Sequence, residues 1–128
     1  MGPLKDIKAI EFSGIGPGPY CGMLLADLGA DVIRVSRKET KGLQNKFDIH
    51  NRSKRTITAD LKNKESVKEL LKLIGQVDVV FEGFRPGVME KLGLGPDECL
   101  KVNPKLVYGR MTGWGQEGPM ANLAGHDI

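Results

Sequence analysis

Short apolar runs alternate with helical patterns along most of the chain, which is typical of α/β proteins. The apolar runs, which have the length and composition of β-strands, cover residues 7–12, 31–35, 55–60, 77–84 and 106–111. Most of them are followed by a helical pattern, and the connections are short. This order predicts a Rossmann-like parallel sheet that has helices on both faces.

The helical segments differ in how their apolar positions are distributed. Residues 20–28 are apolar nearly all round, which predicts a helix buried against the sheet and ending at Gly29. A later segment is amphipathic, with one apolar face formed by Val67, Leu70, Leu71 and Ile74. We expect this second helix to expose its lysine-rich face to solvent.

Prolines and irregular composition mark the remaining connections. A short helix is expected to begin at Pro96 and to end before Pro104, because a proline disfavours helix in the residue that precedes it. Residues 39–51 show no periodicity and are predicted to form a long loop.

The stretch GIGPGP, residues 14–19, lies between a predicted strand and a predicted helix. Dinucleotide-binding turns occur in this setting, but Pro17 and Pro19 lack the N–H groups that would face a pyrophosphate. The acidic residue expected about twenty positions later is also missing. The sequence therefore favours a tight turn with Pro19 near the first helical position, which could also form the wall of another ligand site.

Composition narrows the function without specifying it. The chain has 128 residues, a formal net charge of +3 and 27% charged residues, a mild basic excess that suits an anionic ligand. No nucleic-acid-binding motif, membrane-length apolar run or secretory leader is present, so neither nucleic acid nor membrane is expected as a partner. Cys21 and Cys99 match no metal or redox spacing, and no metal site is predicted. We expect a cytoplasmic protein, or a peroxisomal or mitochondrial one in a eukaryote.

Four segments in a fixed order resemble the family III CoA-transferase superfamily. They are NRSKRTITADLK at 51–62, EGFRPG at 82–87, NPKLVYGRMTGWGQEGP at 103–119 and AGHDI at 124–128. The resemblance extends over the chain from Leu4 onward. Within the superfamily the GHDI sequence is most similar to the alpha-methylacyl-CoA racemase branch, in which a histidine followed by aspartate stands at this point.

The resemblance implies a fold and a reaction. Residues 1–128 would form the N-terminal part of the family's large Rossmann-like domain, with the rest of the family's chain absent. Full-length members are interlinked homodimers. The implied reaction is epimerisation of a 2-methylacyl-CoA thioester, by removal and return of the α-proton through an enolate. No cofactor is implied beyond the CoA moiety of the substrate.

The same resemblance assigns the catalytic residues. His126 is expected to be the base, because the ordinary pKa of imidazole lies near operating pH. Asp127 is expected to hold the tautomer of that imidazole and to stabilise the imidazolium. Further acidic residues, located beyond residue 128 in the family, would complete the site.

Residues that bind CoA are expected at the ends of several strands. The phosphates require cations, for which Arg37, Arg52, Lys62 and Arg85 are the candidates. By resemblance, the GIGPGP turn borders the acyl-CoA site through Ile15. Other candidates at strand ends are Ala59, Asp60, Leu61, Glu82, Gly83, Tyr108 and Arg110. Trp114 is either a core residue or an acyl-group wall.

Two alternatives stay open at this stage. One is a family III CoA-transferase that moves CoA between carboxylic acids. The other is a truncated CoA-binding module without catalysis. The sequence up to residue 128 separates them weakly, because the second acid/base group of a racemase is not identified within it.

Overall fold

Five parallel strands form one sheet in the computed structural model, which describes residues 2–37 and 48–125. The strands are β1 Lys8–Phe12, β2 Asp31–Ser36, β3 Lys54–Thr58, β4 Val79–Glu82 and β5 Val107–Arg110. Their spatial order is β3-β2-β1-β4-β5, and every neighbouring pair is parallel. The predicted Rossmann-like α/β fold is confirmed.

The connections between the strands contain the helices. These are α1 Pro17–Asp27, α2 Lys64–Ile74, α3 Val88–Lys91 and α4 Pro96–Val102, and a 3-10 helix spans Ile49–Asn51. Asn63 caps α2, since its side chain accepts hydrogen bonds from the backbone N–H groups of Glu65 and Ser66. The predicted short helix from Pro96 is confirmed, whereas α3 was not predicted because it is only one turn long.

Two hydrophobic clusters cover the two faces of the sheet, because successive side chains of a strand point to opposite faces. Ala9 belongs to the cluster that also contains Ala26, Ala30, Val32 and Phe81, on the face covered by α1. Ile10 belongs to the larger cluster on the other face, against α2 and α4. The small residues of the first cluster allow α1 to lie close to the sheet.

The first helix begins earlier than its sequence predicts. It starts at Pro17 rather than near Tyr20, after Gly16 at φ 70°. Prolines fit the first turn of a helix because the N–H groups there have no helical acceptor. The helix ends as predicted, since Gly29 follows it with a φ of 99° that glycine adopts without strain.

Two strands, β3 and β4, differ most from their predicted bounds. β4 occupies Val79–Glu82 of the apolar run 77–84, because Val77 is buried in the core ahead of the strand and the chain leaves the sheet after Glu82. β3 ends at Thr58, so Ala59 and Asp60 follow the strand rather than belong to it. Of the predicted loop 39–51, residues 39–47 lie outside the described residues.

Within residues 2–37 and 48–125, no helix has both the length and the apolar character needed to span a membrane.

Candidate functional site

The strand order reverses direction between β1 and β4. From β1 the chain builds the sheet to one side through β2 and β3, and β4 and β5 then extend it on the other side of β1. In open α/β sheets such a switch point leaves a crevice at the edge where the strands end, here called the carboxyl edge. Ile15 follows β1 and Phe84 follows β4, and both residues line two adjoining pockets at this edge. The crevice is therefore the candidate ligand site of this sheet.

The first of these, the β4–β5 pocket, has a volume of about 140 Å³. Its walls come from the turns after β1, β4 and β5 and from the end of the described chain. They are formed by Ile15, Pro17, Gly18, Gly83, Phe84, Arg85, Pro86, Met111, Thr112, Gly113, Ala121, Leu123, Ala124 and Gly125. Gly125 immediately precedes His126 in the sequence, so the pocket lining includes the residue before the predicted base.

The second, the β2–β3 pocket, has a volume of about 400 Å³. Two arginines contribute to its lining. The Arg37 guanidinium carbon lies 5.9 Å from the centre of the Phe84 ring, within cation–π range. Arg34 donates a 2.8 Å hydrogen bond from Nη2 to Ser13 Oγ, and its buried Nε makes no hydrogen bond with any described residue. Asp48 also lines the pocket, so two guanidinium groups and one carboxylate give it a cationic excess that suits an anion.

Contacts from two loops fix the segment 122–125. Arg85, after β4, donates a hydrogen bond to the carbonyl oxygen of Asn122. Trp114, after β5, donates a 3.1 Å hydrogen bond from Nε1 to the carbonyl oxygen of Ala124, and 48% of Trp114 is exposed. Trp114 is thus neither a core residue nor, among the described residues, part of either pocket lining.

Several of the sequence-predicted residues come together at the carboxyl edge. Those that line one or both pockets are Ile15, Arg37, Leu61, Gly83 and Arg85. After β3, Asp60 and Lys62 are exposed, and the Asp60 side chain accepts the backbone N–H of Lys62 at 2.9 Å. Ala59 instead lines a separate groove between β3 and α2.

Three other candidates face internal partners. Glu82 is buried, its Oε2 accepts the backbone N–H of Phe84 at 2.7 Å, and burial raises its pKa. Tyr108 donates a 2.8 Å hydrogen bond to the carbonyl oxygen of Leu94, and burial raises its pKa as well. Arg110 forms ion pairs with Glu82, at 3.5 Å from Nε to Oε1, and with Glu90. None of these three residues lines either pocket of the crevice.

Arg52 is not brought to the crevice. It precedes β3, at the edge where the strands begin, and its Nε donates a 3.0 Å hydrogen bond to Oδ1 of Asp27 at the end of α1. A role for Arg52 in binding CoA stays a prediction, without support from this position.

The two predicted catalytic residues, His126 and Asp127, lie outside the described residues. Their roles stay predictions. Among the described residues, no group of histidine, cysteine, aspartate and glutamate side chains is arranged to hold a metal ion.

Sequence reasoning missed Arg34 and Ser13 as members of the site. One signal was available, because Arg34 interrupts the apolar strand DVIRV, and a charged residue in a covered strand requires a partner or a ligand. Ser13 gave no such signal, since a serine after a strand is common in turns.

Comparison with known proteins identifies relatives of two activities. The chain is 46% identical over 125 residues to an alpha-methylacyl-CoA racemase of Mus musculus, and 38% identical over 135 residues to a succinyl-CoA–D-citramalate CoA-transferase of Chloroflexus aurantiacus. The crystal structure of Rv3272 from Mycobacterium tuberculosis, which is named a "Probable fatty acyl-CoA transferase", superposes with a TM-score of 0.89 at 39% identity, covering 98% of this chain.

These relatives are about three times as long as the chain. The match to the mouse racemase covers 98% of this chain but 32% of the racemase. The match to the Chloroflexus enzyme covers 96% of this chain and 34% of that enzyme, and the superposition covers 36% of the mycobacterial structure. The sequence profile of CoA-transferase family III matches residues 4–128, and the chain therefore belongs to that family.

Proposed function

We propose that the protein binds an acyl-CoA thioester across the two pockets of the carboxyl edge and epimerises 2-methylacyl-CoA. The observation that carries this proposal is the crevice itself: the pockets adjoin at Ile15 and Phe84, and one of them reaches Gly125, the residue before His126. An elongated ligand with an anionic nucleotide at one end and an acyl group at the other suits this arrangement.

The nucleotide end of the ligand is assigned to the β2–β3 pocket. Arg37 and Arg34 supply positive charge there, and an arginine fork can bind a phosphate through two hydrogen bonds. The Phe84 side chain supplies an apolar surface at the junction of the pockets. We expect the phosphates to account for most of the affinity and for its dependence on salt.

The thioester end is assigned to the β4–β5 pocket. Ile15, Met111 and Leu123 provide apolar wall there, as an acyl chain requires. Gly18, in the first turn of α1, adds a backbone N–H near the positive end of the helix dipole. Because Pro17 and Pro19 restrict the backbone, this turn is rigid before the ligand arrives, which favours stabilisation of an oxyanion.

The chemistry demands strong stabilisation of an enolate. A proton α to a thioester is some ten or more pK units less acidic than imidazolium, which corresponds to roughly 14 kcal/mol. A positioned base contributes a few powers of ten in rate, so the remainder must come from dipoles and orientation. His126 is assigned as the base and Asp127 as its neighbouring support. Return of the proton to the opposite face needs a second acid/base group, which the family resemblance puts beyond residue 128.

A second candidate is transfer of CoA between carboxylic acids. It is favoured by the names of the mycobacterial and Chloroflexus relatives, which are 39% and 38% identical to this chain. The two candidates share the CoA-binding crevice and differ in whether an α-proton is exchanged. As in the full-length family, we expect the complete protein to be an interlinked homodimer.

The deciding experiment incubates a 2-methylacyl-CoA in deuterium oxide with the longest form of the protein that its source expresses. Racemase function predicts deuterium at the α-carbon together with inversion of a pure epimer. His126→Ala should abolish both while changing the affinity for CoA ester by no more than a few fold. Transfer of CoA to an added carboxylate, without deuterium incorporation, would replace the proposal by the transferase.

A further inference from the structure

A buried ion pair lies under the first turn of α1. Lys54 Nζ is 2.6 Å from Glu11 Oε2, and both side chains are 0% exposed. Lys54 belongs to β3 and Glu11 to β1, with β2 between them in the sheet. The lysine side chain therefore crosses β2 to reach its partner.

The ammonium also contacts α1. Lys54 Nζ donates a 2.9 Å hydrogen bond to the carbonyl oxygen of Pro19. Gly22, one turn later in α1, leaves the room for this arrangement: a Cβ atom at Gly22 would overlap Glu11 Oε2 and would lie 2.8 Å from Lys54 Nζ. The three residues thus join β1, β3 and the start of α1 at one point.

Stability alone is a poor explanation for this pair. Removing two charges from water is costly, and apolar residues of similar volume often replace a buried ion pair without loss of stability. Glu11 Oε1 is buried and has no hydrogen-bond partner among the described residues, which adds to the cost. A buried ammonium group can donate a hydrogen bond to one particular acceptor, here the carbonyl oxygen of Pro19, which an apolar side chain cannot do.

The contact is directed at the wall of the proposed thioester site. Pro19 lies in the same helical turn as Pro17 and Gly18, which line the β4–β5 pocket. We propose that Glu11, Lys54 and Gly22 are positioning residues that fix the location of this first turn of α1 at the wall of the β4–β5 pocket. The inference rests on the proposed function for its consequence in catalysis, but the geometry of the turn can be tested without it.

The test compares the wild type with the double variant Glu11→Gln/Lys54→Met. The double variant removes both charges together, so that no unpaired charge is left buried, and it also removes the donor to Pro19. Arg55→Met is the matched control, because Arg55 is the next residue of β3 and forms an exposed ion pair with Asp31 of β2. All comparisons are made under conditions in which denaturation curves show each protein fully folded.

Two readouts separate positioning from folding. The first is the set of amide chemical shifts of Gly16, Gly18 and Tyr20 in the ligand-free chain. We expect these shifts to change in the double variant and to stay unchanged in Arg55→Met.

The second readout is α-proton exchange, measured in the longest expressed form of the protein. In the double variant the rate at saturating thioester should fall on the order of 10- to 100-fold, with a KM within a few fold of wild type.

The outcomes are distinguishable. Unchanged amide shifts together with an unchanged exchange rate in a folded double variant would overturn the inference. If the wild type itself exchanges no α-proton, the proposed function fails, and the amide shifts alone then decide whether the pair holds the turn. Shifts that move equally in Arg55→Met would show a general effect of β3 and would also overturn the inference.

Discussion

Gly113 and Gly125 contact each other backbone to backbone. A Cβ atom built on either glycine would lie 2.5 Å from the Cα atom of the other. The contact joins the loop after β5 to the residue before His126. Together with the hydrogen bonds of Arg85 and Trp114, it fixes the point from which the proposed catalytic segment continues.

Gly113→Ala should displace that segment. The added methyl group cannot be accommodated without a backbone shift, and an error of about 1 Å in the position of a catalytic group can cost on the order of 100-fold in rate. We expect α-proton exchange to fall by this order while CoA affinity is retained, as followed by deuterium incorporation and calorimetry. Wild-type exchange in Gly113→Ala would contradict a positioning role for the contact.

Two glycines of α1 should respond oppositely to replacement by alanine. At Gly22 the methyl group would overlap Glu11 Oε2, and overpacking of this kind costs about 1–3 kcal/mol. At Gly18 nothing lies within 4 Å of a built Cβ, so Gly18→Ala should be neutral or stabilising by up to about 1 kcal/mol. Urea denaturation of the two variants gives both free energies of unfolding. Equal changes in the free energy of unfolding would show that the structure accommodates a methyl group at Gly22 as readily as at Gly18.

The Glu11–Lys54 pair should make the effect of Lys54→Met depend on pH. Burial, opposed by Lys54 and Arg34, raises the pKa of Glu11 above its ordinary 4.5, so ionisation of Glu11 lowers stability as pH rises through the folded-state pKa. Loss of Lys54 raises this pKa further and increases that penalty. The variant should lose about 3–5 kcal/mol near pH 7, and less as pH falls toward 4.5.

Denaturant unfolding of wild type and Lys54→Met at matched pH values measures this difference. A loss of free energy that is the same at pH 5 and pH 8 would mean that Glu11 does not titrate between the two, contrary to its burial beside Lys54. Arg55→Met, which removes an exposed pair, should show little dependence on pH over the same range.

Arg37 and Arg52 should contribute differently to CoA binding. Arg37 lines the β2–β3 pocket, so Arg37→Ala should weaken CoA binding by about 1.5–3 kcal/mol through loss of a charge-assisted contact. Arg52 pairs with Asp27 at the edge where the strands begin, and Arg52→Ala should leave the affinity unchanged. Calorimetric titration with CoA compares the two. A larger loss in Arg52→Ala would return that residue to the binding site.

The parallel sheet and most of its helices could be predicted from periodicity and turn residues. Small buried residues such as Ala9 and Ala26 add little to the hydrophobic pattern of a strand or helix. The alternation of strands and helices was nevertheless sufficient to predict the α/β fold class. The start of α1 could not be predicted, because two prolines in the first turn are compatible with either a turn or a helix. Gly16 at a positive φ resolves this, and φ is not visible in the sequence.

The candidate site was predictable where it depends on strand ends and less so where it depends on side-chain partners. Ile15, Gly83 and Leu61 line the pockets because the topology brings their strand ends together. Arg52 and Arg110 could not be separated from Arg37 by sequence, since all three are arginines near strands. The structure distinguishes them by position: Arg37 lines the β2–β3 pocket, whereas Arg52 pairs with Asp27, Arg110 pairs with Glu90, and neither lines a pocket of the crevice.

Amide chemical-shift mapping of the 128-residue chain during titration with an acyl-CoA shows where the ligand binds. Binding across the two pockets predicts that the largest shifts occur at Ile15, Arg37 and Phe84 and in the loop around Gly113, saturating with ligand. A saturating response centred instead on Asp27 and Arg52, or on the groove between β3 and α2 beside Leu73, would show that the acyl-CoA does not bind in the crevice.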